Sequence, residues 1–145
     1  MADIALKAAT STAVATLPNI QHTFIANAAM DRLTPVYIVA ATGKVAATDA
    51  DADATADAWG VTARDCVAGE AVTVIRQGLV DGLTLDSLNY GATLYVSGTA
   101  GRIADAAGAA EKVVGHVLPV AGTTIGVAAD KLFYVDCTAP LIPAA

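Results

Sequence analysis

The chain has 145 residues, 55% of them hydrophobic but only 5% aromatic, and a net charge of −6 at neutral pH. That length fits one domain with a sizeable core. The acidic balance, with eight scattered Lys and Arg, excludes wrapping a nucleic-acid backbone, which needs basic clusters. No run approaches the roughly 18 apolar residues of a membrane helix, so no membrane partner is expected.

Mean hydropathy is +0.56, carried by Ala and Val. Such excess apolar surface points to subunit contacts. The first residues, MADIALKAATSTAV, lack the basic and apolar regions of a secretory signal. Two cysteines, Cys66 and Cys137, are too few for a disulfide framework or a four-ligand metal site.

Residues 1–22 show no clean period, and their Ser, Thr and Val content favours an extended N-terminal arm. A first strand is expected at Thr23–Asn27, then a connector or helical turn over Ala28–Leu33. Val36–Ala40 is β-branched and aromatic and is followed by a turn at Gly43. Val45–Ala47 returns as a short strand. Thr48–Ala58 reads as a loop, Trp59–Arg64 as a strand, and Asp65–Gly69 as a turn. Ala71–Gln77 alternates as a half-buried strand does. Gly78 and Asp81-Gly82 punctuate it.

Further strands are expected at Thr93–Ser97, Arg102–Ala104, Val113–Val120, Thr124–Ala128 and Leu132–Asp136. Among the connections, Asp105–Lys112 alone has helix-forming composition, weakened by Gly108. A Pro-containing tail, 137–145, ends the chain.

The middle of the chain repeats itself, with units at about 35–80 and 91–136. Tyr37 precedes Gly43 as Tyr95 precedes Gly101. Gly43-Lys44-Val45-Ala46 matches Gly101-Arg102-Ile103-Ala104, and Gly60 matches Gly115. Ala68-Gly69 matches Ala121-Gly122, and Val72 and Val74 match Ile125 and Val127. Short strands with Gly turns predict an all-β fold, a small β-barrel or β-sandwich of two similar β units spanning 23–136.

Candidate chemistry is sparse. Asp49, Asp51, Asp53 and Asp57 alternate as Ca²⁺ ligands can. Ala54 and Gly60 stand where an EF-hand needs its turn Gly and bidentate Glu, so a solvated acidic loop is the better reading. No cofactor is implied. His22 and His116 have no triad signature around them, and no catalytic residue is assigned. Trp59 and Tyr95 are candidates for a subunit interface or the core.

The order of motifs resembles the head decoration, or capsid cement, proteins of tailed bacteriophages. The resemblance spans about Phe24 to Asp136. It rests on the T-G-K-V turn at Thr42–Val45, W-G-V-T at Trp59–Thr62, A-G-E-A-V-T-V at Ala68–Val74, G-A-T-L-Y-V at Gly91–Val96 and V-V-G-H-V-L at Val113–Leu118. The acidic loop and the tail depart from it.

The resemblance implies a non-enzymatic structural virion protein, made in the host cytoplasm and seated as a homotrimer on the outer capsid surface. Its partner would be the major capsid protein, and it would stabilise the expanded head. Ile4, Leu6 and Val14 of the arm would make capsid contact. The alternative is a carbohydrate- or receptor-binding β module of a phage fibre or surface protein.

Overall fold

The β-branched stretch after Gly69 forms the longest strand, and the rest of the fold is built around it. A computed structural model describes residues 2–6, 14–15, 20–119 and 131–144. The strands are β1 (Val14–Ala15), β2 (Ile20–Ile25), β3 (Pro35–Ile38), β4 (Val45–Ala47), β5 (Gly60–Thr62), β6 (Ala71–Asp81), β7 (Thr93–Val96), β8 (Ile103–Ala104), β9 (Val113–Pro119) and β10 (Lys131–Asp136). A single helical turn, α1 (Asp53–Ala56), joins them. The protein is all-β, and its strands form one curled sheet.

Strand β6 is flanked on both sides. Gln21 and Val61 oppose Ile75, while Ala15 and Phe133 oppose Val80. The sheet runs β4-β3-β5-β6-β10-β9-β7-β8, with β1 and β2 added to β6. Every pairing between the described strands is antiparallel, so short connections suffice.

Read from its ends inward, the sheet gives the same order twice: β4-β3-β5-β6 and β8-β7-β9-β10. Val36 of β3 opposes Gly60 of β5, and Leu94 of β7 opposes Gly115 of β9. The two hairpins turn at Gly43 and Gly101, with φ of 72° and 76°. A left-handed φ of this kind strains a residue with a Cβ, so glycine is favoured at both turns. Gly122, Ile125 and Val127, with the strand expected at Thr124–Ala128, lie outside the described residues. Beside the two strand glycines, Val74 of β6 holds the place that Phe133 holds on β10.

The sheet curls until its ends meet other parts of the chain. After β2, Ala26 bridges Val45 of β4, and Asn27 N–H donates to Val45 O at 2.9 Å. Ala26, Met30, Val36, Val45, Cys66, Val72 and Val74 fill the core of this first unit. At the other end Asp3 bridges Ala104, and Leu6 bridges Leu83. These contacts close the larger core, which contains Ile4, Ile75, Leu94, Val96, Val117, Phe133 and Val135. Adjacent residues of β6 serve different cores: Val74 packs into the first and Ile75 into the second.

Several expectations need correction. Residues 3–6 are no free arm: Ile4 is 7% exposed, and its N–H donates to Ile103 O at 2.6 Å. Burying an isoleucine in the domain's own core outweighs leaving it in water. Residues 7–13 and 16–19 lie outside the described residues.

The Asp/Ala loop contains α1, where Asp53 sits favourably at the positive end of the turn. Asp105–Lys112 forms bends and a bridge residue, without a helix. Gly78 does not interrupt β6, since pairing with Val135 carries the strand through it.

Candidate interaction surface

Pairing of β5 with β6 brings Trp59, just before β5, next to Arg76. The Arg76 Nη1–H donates to Trp59 O at 2.8 Å, and its guanidinium carbon lies 5.2 Å from the Trp59 ring centroid. This is cation–π geometry. Phe24 of β2 meets Trp59 edge-on at 5.1 Å. His22, two residues back on the same face, meets Phe24 at 4.8 Å and Trp59 at 6.4 Å. His22 is exposed, and Phe24, Trp59 and Arg76 are half-buried. They form a row of aromatic and cationic groups open to solvent.

Beside the row lies a cleft of about 310 Å³. Tyr37 and Ile38 of β3 line it with Asp57, Trp59, Arg76 and Lys112. Lys112 is almost fully buried, and its ammonium donates to Cys137 O at 3.0 Å and to Ala139 O. Asp57 Oδ1 lies 3.3 Å from the same nitrogen. Three acceptors therefore match its three donors, and Lys112 acts as a clasp for the chain leaving β10. Arg76 differs. Among the described residues it has no carboxylate partner, so most of its donor fork is free for a visitor.

The four aspartates do not converge. Asp49 accepts from Asp51 N–H at 2.9 Å, Asp53 accepts from Ala144 N–H at 2.8 Å, and Asp57 faces Lys112. Among the described residues no group of three or more His, Cys, Asp or Glu could hold a metal ion.

Tyr95 lies on the half-buried face of β7, opposite Ala104 and Val113. Val14 pairs with Asp81 through the backbone. Leu6 is half-buried against the larger core. His116 is half-buried in β9, opposite Thr93 and Tyr134.

Both cysteines are free and buried, one in each core. Burial pushes the Cys137 thiol up to about 12 and also raises Cys66. Thiolates, the reactive form, are thereby disfavoured.

Of the candidate interface residues, Trp59 is brought into a cluster and Tyr95 is not. Phe24, Arg76 and Lys112 were not legible as site residues. Alternation does put Val72, Val74 and Arg76 on one face, but which aromatic meets that face depends on register with β5 and β2. No protein-family model, curated protein or solved structure matches the chain. The surface itself carries the functional reading. Trp, Tyr and Arg next to exposed Ile20 and Ile38 are the residue types that dominate protein-binding energy.

Proposed function

We propose that this protein is a non-enzymatic structural protein of a tailed-phage virion. In this reading it sits on the outside of the head as a homotrimer and bridges major-capsid subunits. The observation that carries the reading is the row His22–Phe24–Trp59–Arg76 on an otherwise acidic chain of net charge −6. An aromatic and cationic anchor on such a body favours docking onto a protein partner over association with DNA. Three such anchors per trimer bind together more tightly than one alone. Selective binding to the expanded shell would stabilise that state by mass action.

The test is to mix the purified protein with expanded, undecorated heads and image them by cryo-electron microscopy. Ordered density at three-fold or quasi-three-fold sites is expected. Arg76→Ala should weaken head binding about tenfold or more while leaving the fold intact by circular dichroism. A protein that leaves heads bare would defeat the proposal.

A second reading, a carbohydrate- or receptor-binding module, is favoured by one feature. The 310 Å³ cleft is at the small end of ligand pockets and combines Trp59 and Tyr37 with Arg76 and Asp57. Binding on a glycan array, lost in Trp59→Ala, would select it.

A further inference from the structure

Strand β2 reads Ile20-Gln21-His22-Thr23-Phe24-Ile25 and is bound to β6 on one side. At its end, Ala26 N–H donates to Glu70 O next to β6, and Asn27 N–H donates to Val45 O on the other side. Backbone groups of successive residues in a strand point to opposite edges. Gln21 and Thr23, in step with Asn27, therefore turn their N–H and C=O away from β6. None of these four groups has a partner among the described residues.

The other ends of the sheet are covered, β4 by Ala26–Asn27 and β8 by Asp3–Ile4. Strand β10 faces both Gln77 and Val80, so β1 and β2 share the opposite side of β6. Theirs is the one open edge among the described residues. Strand β2 carries no Lys, Asp, Glu or Pro to blunt it, and Ile20 is 55% exposed.

We propose that β2 pairs antiparallel with β2 of a second copy, about a twofold axis at His22. With one open edge among the described residues, strand pairing between copies joins the same edge on both, which is an isologous contact. Only residues that both point outward exchange two hydrogen bonds, so Gln21 faces Thr23 of the second copy.

This register sets Ile20 opposite Phe24 and His22 opposite His22. Apolar meets apolar on one face, and amide meets hydroxyl on the other. Centring on Gln21 or on Thr23 would instead set Ile20 against His22, or Gln21 against Ile25. Where the protein is a trimer on a shell, such a twofold contact would tie neighbouring trimers together.

The test is cysteine cross-linking of the full-length protein. Residues at a non-hydrogen-bonded pair lie about 4.5 Å apart at Cα, within disulfide range. His22→Cys should oxidise largely to a covalent dimer on a non-reducing gel, while Thr23→Cys, which faces Gln21, should stay single. The native cysteines are buried and add little background.

Thr23→Pro removes an outward N–H and leaves the bonds to β6 in place. It should halve the apparent mass by light scattering, with an unchanged far-ultraviolet spectrum. Failure of His22→Cys to link, equal linking by Thr23→Cys, or a wild-type mass for folded Thr23→Pro would each overturn the proposal.

Discussion

Gly60 and Gly115 hold the same place in the two units. Each lies on the third strand, opposite the first strand at Val36 or Leu94, and lets the backbone close on the fourth. A Cβ on Gly60 would stand 2.5 Å from Ile75 O and 2.8 Å from Val74 Cγ1. One on Gly115 would strike Tyr134 O and stand 2.7 Å from Phe133 Cε1. The obstacle is backbone in both cases and cannot rotate away. Gly60→Ala and Gly115→Ala should each cost about 1–3 kcal/mol or more, the usual range for overpacking. Urea unfolding measures it, and a wild-type midpoint for either variant would contradict the geometry.

Residues 3–6 belong to the fold, and Ile4 is their anchor. It packs among the residues of the larger core. Ile4→Ala should lose about 2–5 kcal/mol, as buried Ile→Ala changes do. Deleting residues 2–6 should lower the melting temperature as well as any head occupancy. If the truncated protein melts like the full chain, the segment is an arm after all.

Lys112 and Asp57 form an asymmetric pair. The lysine side chain is 4% exposed and the aspartate side chain 65%. Removing the lysine strands the carbonyls of Cys137 and Ala139, and a stranded buried acceptor costs about 1–3 kcal/mol. Lys112→Met should therefore destabilise by about 2–4 kcal/mol. Asp57→Asn should change stability by no more than about 1 kcal/mol, because water replaces an exposed partner. Equal losses in the two variants would show that the ion pair, and not the carbonyl clasp, holds the tail.

Cys137 makes stability fall at high pH. Its folded-state value of about 12 lies above the ordinary 9.0 because burial disfavours the thiolate. The native thiol keeps its proton where the unfolded one has lost it. Its contribution is thus fully present below pH 9 and is lost as pH rises towards 12. The slope is at most about 1.4 kcal/mol per pH unit. Unfolding free energies of the wild type and Cys137→Ala, compared from pH 8 to pH 11, isolate this effect from Tyr and Lys titration. Parallel curves would refute it. The thiol should also resist alkylation at pH 8 until the protein unfolds.

The all-β class and much of the local order are legible from the residues alone. Strand β4 falls on Val45–Ala47, where the chain is expected to return after its turn, and Gly43 and Gly101 turn their hairpins with positive φ. Such features depend on a few neighbouring residues, through side-chain alternation and the steric freedom of glycine. Other features depend on contacts between distant parts of the chain.

The Asp3–Ala104 bridge spans most of the chain, and the alternating Ile4 and Leu6 look alike in an arm and in a covering strand. Continuation of β6 through Gly78 depends on partners that no local turn signal records. The row from His22 to Arg76 needs β2, β5 and β6 in fixed register. A one-residue slip of any of these strands would turn its side chains to the opposite face. Register is set by which apolar sets can be buried together, a property of the folded whole and not of any window of sequence.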